Sequence, residues 1–124
     1  MAVMIRDKII ENSQQFLSPG EQVQAVAGGQ TVSGWWGALS SLMYFWNHFR
    51  AVIVTDQRIL VLDSGKMRMG KPKSVVRELP RHTQIGPAKG LWYKTNSLGE
   101  KLYFHKRFHK DIDTADSIAG FPTG

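Results

Sequence analysis

The chain reads as a mainly β domain, a small antiparallel barrel or sandwich with flanking helices. Three observations lead there. Short apolar runs rich in β-branched residues recur at hairpin spacing through the middle of the chain. Each end of the chain instead carries apolar residues at helical spacing. At 124 residues and 14.0 kDa, with 42% apolar and 21% charged residues, the chain fits one core and is too apolar for wholesale disorder.

Residues 2–17 form the first predicted helix. Ala2, Ile5, Ile9 and Phe16 share a face, with Ile10 and Leu17 alongside. Ser18-Pro19-Gly20 ends it, because a residue before proline avoids helical angles. Residues 21–32 read as a strand, with Val23, Ala25 and Ala27 on the buried side and Gly28-Gly29 marking a bulge or bend. Residues 50–63 give the clearest signal, a hairpin. Ala51-Val52-Ile53-Val54 and Ile59-Leu60-Val61-Leu62 flank the turn Thr55-Asp56-Gln57-Arg58.

A glycine-containing loop over 64–73 precedes a strand at 74–79, with Val75, Arg77 and Leu79 on one face and Pro80 closing it. A short strand near 83–85 is compatible with the pattern. Residues 90–95 and 101–105 pair around Asn96-Ser97-Leu98-Gly99. The last helix carries the stripe Phe108, Ile112, Ala115 and Ala119 and stops at Gly120. The expected core is Val52, Val54, Ile59, Val61, Leu79, Trp92, Phe104, Ile112 and Ala115. The chain thus divides into an N-terminal amphipathic helix, 1–19, and a β-rich domain, 20–120, with an aromatic-rich insertion at 34–49.

Charge is concentrated. Residues 1–63 carry a net charge of −1, residues 64–110 a net of +10, and residues 111–124 a net of −3. A dense cationic stretch attracts phosphates of lipid headgroups or nucleic acid, while a basic face kept for solubility is the plainer reading. No cysteine is present, which excludes disulfides, a thiol nucleophile and a cysteine metal site. No nucleophile elbow or phosphate loop appears, so no catalytic residue and no cofactor are expected. His105, His109 and Asp113 are spaced by four, but a strand end and a helix divide them and Lys106, Arg107 and Lys110 repel a cation; no metal site is expected. The N-terminus lacks the pattern of a secretory leader. The longest apolar stretch, residues 35–46, is 12 residues with two serines inside, against the ~20 that span a membrane. The expected location is cytoplasmic, peripheral at the inner membrane surface where the chain meets lipid.

Several segments match a known pattern. They are Gly20-Glu21-Gln22-Val23, the hairpin from Val52 to Val61 with its T-D-x-R turn, Lys71-Pro72-Lys73, Glu78-Leu79-Pro80-Arg81, Gly90-Leu91-Trp92, and Arg107-Phe108-His109-Lys110-Asp111. On these the chain resembles small bacterial, actinobacterial-type pleckstrin-homology-like domain proteins over residues 20–119. The resemblance implies seven antiparallel strands in two near-orthogonal sheets, capped by a C-terminal helix. It also implies a binding module rather than an enzyme. In that fold the loops after strands 1, 3 and 6 gather at one open end, where headgroup-binding members place basic residues.

Mapped here, the loop after the third strand supplies Lys66, Arg68, Lys71 and Lys73, and the last loop adds Lys94 and Lys101. The first loop departs from the lipid-binding pattern, with no Lys or Arg between Ser33 and Arg50. It carries Trp35, Trp36, Leu39, Met43, Phe45 and Trp46 instead. This insertion completes the core, forms an oligomer interface or enters a headgroup layer. The expected function is a non-catalytic binding module meeting a protein, a second copy or an anionic membrane surface. The alternative is nucleic-acid binding through the basic 64–110 segment, running over Arg77, Arg81, Lys94 and Lys106 with interleaved Trp92, Tyr93, Tyr103, Phe104 and Phe108.

Overall fold

The computed structural model describes residues 2–31, 48–65 and 69–121. Helix α1 (Ala2–Ser13) runs into a single 3-10 turn, Gln14–Phe16. Strands β1 (Val23–Gln30), β2 (Phe49–Thr55), β3 (Arg58–Gly65), β4 (Ser74–Pro80), β5 (Trp92–Thr95) and β6 (Leu102–His105) follow. A second 3-10 turn, Lys106–Phe108, leads into α2 (His109–Ile118). Among the described residues no helix is long and apolar enough to cross a membrane.

The strands form one antiparallel sheet in the order β4-β3-β2-β1-β6-β5. Strands β4 and β5 are its edges, yet Arg77 of β4 bonds Glu100 in the loop after β5. The sheet is therefore curled, bringing one edge round toward the other. The inner face holds Ala25, Ala27, Val52, Val54, Ile59, Val61, Leu102 and Phe104, closed by Phe108, Ile112 and Ala115. Thus Phe108, Ile112 and Ala115 of the C-terminal stripe pack as their spacing predicts, whereas Ala119 caps the helix outside the core. The outer face of β1 to β3 holds Val26, Ala51, Ile53, Leu60 and Leu62, covered by Ile9 with Ile5, Ile10, Phe16 and Leu17 alongside.

Two-sided burial explains why the hairpin arms are unbroken apolar runs: each residue meets a helix or the barrel interior. It also corrects the reading of β1. Alternation there predicts one buried face, but every residue from Ala25 to Gln30 is buried, because α1 lies against the second face. Gly28 and Gly29 stay in register, and the irregularity falls between Val23 and Ala25. The glycines answer crowding instead. A Cβ on Gly29 would lie 2.8 Å from the Phe104 ring, and one on Gly28 would lie 2.1 Å from the Met69 sulfur.

Three further expectations are corrected. In β4 the register shifts opposite Val61/Leu62, so Val76 and Leu79 pack on the core while Val75 is 46% exposed. Residues 83–85 pair with no strand; the Ile85 and Gly86 amides donate instead to the buried Asp116 carboxylate of α2, at 2.9 and 2.8 Å. Among the described residues there are six strands in one curled antiparallel sheet. Finally, Trp92 faces outward and is only half-buried, its ring edge-on to His105.

Candidate anion-binding face

Antiparallel order decides which loops are neighbours. β1 ends, β2 begins, β3 ends and β4 begins at one rim of the sheet, and the pairing of Gln30 with Tyr103 brings the β5–β6 loop to the same rim. The three loops singled out from the sequence therefore leave from one end of the curled sheet. Leu98, fully buried, plugs that end.

The acids at this rim are turned inward. Arg50 donates to Asp63 at 2.7 Å and to Glu100 at 3.3 Å, and Arg77 bonds the same Glu100. Arg77 also reaches the Leu98 carbonyl at 3.4 Å. Two arginines and two carboxylates cancel, and together they fasten the plug. Arg81 is likewise engaged internally, donating to Gln24 at 2.9 Å and to the Ala115 carbonyl at 3.1 Å. Burial, the largest influence on Arg81, lowers its pKa. Arg77 and Arg81 thus each hold an internal partner.

Of the six cations assigned to the loop site, Lys66 and Arg68 lie outside the described residues, as do Trp35, Trp36, Leu39, Met43, Phe45 and Trp46. Lys71 is drawn away from the rim. Its loop folds back on α1, where Asn12 donates to the Gly70 carbonyl at 2.8 Å and Lys71 lines a groove with Ile5, Lys8 and Met69. Lys73 lies over Gly65 beside the β3 end. Lys94 and Lys101 are exposed on the β5–β6 hairpin. Of the four described cations, Lys71 thus lines the α1 groove, Lys73 sits at the β3 end, and Lys94 and Lys101 lie on the β5–β6 hairpin.

Strands β5 and β6 present a surface of their own. Tyr93, Thr95, Leu102 and Phe104 point inward; Tyr93 donates its hydroxyl to the Ile85 carbonyl at 2.8 Å. Strand alternation sends Trp92, Lys94, Tyr103 and His105 to the outer face. Trp92 is directly opposite His105, and Lys94 opposite Tyr103. The rings of Trp92 and His105 meet edge-to-face at 5.2 Å and 82°. His105 Nδ1 accepts from the Arg107 amide at 3.1 Å, capping the 3-10 turn, so a neutral ring carries its proton on Nε2.

Lys94 shares this outer face, Lys101, Lys106 and Arg107 adjoin the ends of β6, and all four are exposed, as are Lys89 and Lys110. Among the described residues no lysine is paired with a carboxylate. The one acid between residues 89 and 110, Glu100, is bound to Arg50 and Arg77. The field registers on His105, whose pKa is lowered first by burial and then by Arg107, Lys106 and His109. Helix α1 covers β1 to β3, and among the described residues no helix covers the outer face of β5 and β6.

Sequence reasoning named Lys94 and Lys101, placed Trp92 both in the core and, with Tyr103, among the aromatics of the nucleic-acid alternative, and did not set Trp92, Tyr103 and His105 on one face. Parity along β5 and β6 was the available signal: Trp92 and Lys94 share one face, Tyr93 and Thr95 the other. Among the described residues no three His, Asp or Glu side chains gather to hold a metal ion. Comparisons with protein-family models, with curated proteins and with solved structures found no match for this chain.

Proposed function

We propose that this chain is a non-catalytic binding module of pleckstrin-homology-like architecture that takes an anionic, phosphate-bearing partner on its cationic surface. The supporting observation is the division of labour among charges. Arg50, Arg77 and Arg58 neutralise internal carboxylates, whereas the lysines of residues 89–110 are exposed and form no ion pair. Paired arginines fasten the curled sheet internally; unpaired lysines leave a positive potential that a polyanion neutralises. Each exposed cation near an acidic membrane contributes about 1 kcal/mol, and nucleic acid gains similarly through counterion release.

The test is sedimentation with phosphatidylserine vesicles together with retention of a single-stranded oligonucleotide, each across a salt series. Binding to at least one polyanion is expected, falling with salt. Lys94→Glu with Lys106→Glu should abolish it. Lys8→Glu, in the groove between α1 and residues 69–71, should leave it largely intact. Absence of binding to either polyanion at low salt would refute the reading.

A further inference from the structure

The outer face of β5 and β6 is more specific than a basic patch. We propose, resting on the reading above, that it is a stacking platform for single-stranded nucleic acid, with bases on Trp92 and Tyr103 and the backbone along Lys94, Lys101, Lys106 and Arg107. Trp92 and Tyr103 are diagonal neighbours across the pairing Trp92↔His105 and Lys94↔Tyr103. Diagonal positions on an antiparallel pair lie within reach of large side chains, at roughly 7–8 Å. That separation suits two successive unstacked nucleotides. Lys94 lies level with Tyr103 on the neighbouring strand, two residues along from Trp92, while Lys101 and the Lys106-Arg107 pair adjoin the two ends of β6.

Charge selects the class of ligand, and the rings select within it. Alternating cations and aromatic faces are what single strands require, since every base has a π face to stack. In a duplex the bases are already stacked, so only the cations would engage. A membrane asks for apolar groups that protrude past the cations into the headgroup layer. Here Trp92 and Tyr103 are half-buried against the sheet while the flanking Lys94, Lys101, Lys106 and Arg107 are the exposed groups. His105 adds a third flat ring, neutral near pH 7 because burial and the neighbouring cations disfavour its charged form. Its Nε2 proton remains free to donate to a base or a phosphate oxygen.

The probes are a labelled oligothymidine of about 12 nucleotides, its duplex, and phosphatidylserine vesicles, all on the full chain. The single strand should bind more tightly than the duplex. Trp92→Ala with Tyr103→Ala should weaken it about tenfold per ring and leave vesicle binding unchanged. Trp92→Phe with Tyr103→Phe should retain most of the affinity. Should the double alanine variant melt early, Trp92→Leu and Tyr103→Leu keep the apolar bulk without the π face. Lys94→Gln should reduce the salt slope of single-strand binding by about 0.7. Equal affinity for single strand and duplex, indifferent to the rings, overturns the platform and leaves the polyanion reading standing. So does binding to vesicles without binding to the oligonucleotide. Failure of all three probes overturns both.

Discussion

The side chain of Glu21 is fully buried and grips Arg58 with both oxygens, one taking Nε at 2.9 Å and the other Nη2 at 3.0 Å. Thr55 donates its hydroxyl to the same carboxylate at 2.6 Å, and the Ser18 amide adds a bond at 2.9 Å. Arg58 Nη2 also reaches the Phe16 carbonyl at 3.2 Å. The turn of the central hairpin is thereby locked to the start of β1 and to the end of the first helical segment. Asp56 completes the lock, exchanging bonds with the Gln22 backbone at 2.9 and 3.0 Å. These are the residues of the G-E-Q-V and T-D-x-R segments, so their shared presence has a structural cause.

Glu21→Gln keeps the shape but leaves Arg58 only the exposed Glu78, 3.4 Å away, as counter-charge. Removing one member of a buried pair is strongly destabilising, and the partial exposure of Arg58 tempers the loss. We expect about 2–3 kcal/mol, read as a shift in the urea midpoint at pH 7. A variant as stable as the parent would show that the lock contributes nothing net.

Acid should release the same lock. Arg58 is the main cause, with Thr55 and Ser18 assisting against the opposing effect of burial, that lowers the Glu21 pKa from 4.5 to about 2. A carboxylate depressed in the folded state contributes stability that is full above its unfolded value and is lost as pH falls through the folded one. The window therefore runs from about pH 4.5 down to about pH 2, and the contribution is about 3 kcal/mol. Denaturation of parent and Glu21→Gln across this window should converge toward low pH. Parallel profiles would assign the acid sensitivity to other carboxylates.

The paired glycines should tolerate a methyl group unequally. At Gly29 the new Cβ meets the ring of Phe104, which is wholly buried and cannot swing away. Gly29→Ala should lose about 1–3 kcal/mol, as overpacked cores do. At Gly28 the obstacle is Met69, a flexible side chain that is not fully buried, so Gly28→Ala should lose less. Thermal melting of the two variants checks the order, and a milder effect at Gly29 would contradict it.

Asp116→Asn should loosen α2 from the segment it holds. The carboxylate accepts from two backbone amides, Ile85 and Gly86. An asparagine can accept through only one of its two terminal atoms and would face one amide donor with another. Leaving a buried donor unpaired costs about 1–3 kcal/mol. Amide hydrogen exchange at Ile85 and Gly86 should accelerate in the variant before global unfolding does. Unchanged protection at both sites would refute the clamp.

Much of the architecture was legible because it rests on local chemistry. The β-branched arms of the hairpin, the proline-glycine stop after the first helical segment and the stripe from Phe108 to Ala115 each reflect preferences acting over a few residues. Gly120, at φ +89°, ends the last helix where only its freedom from a Cβ makes that angle easy. The concentration of cations is also a property of the chain alone. Tertiary structure decided what each cation does and which ring is outside. Parity separates Trp92 from Tyr93, but it does not say which belongs to the interior until the sheet curls and Ile85 comes within reach of the Tyr93 hydroxyl. Likewise Arg77 and Lys94 are both cationic strand residues, yet curling brings Glu100 to one and leaves the other in solvent. Ion pairing and burial depend on residues that meet only when distant strands close, and no local pattern encodes that meeting.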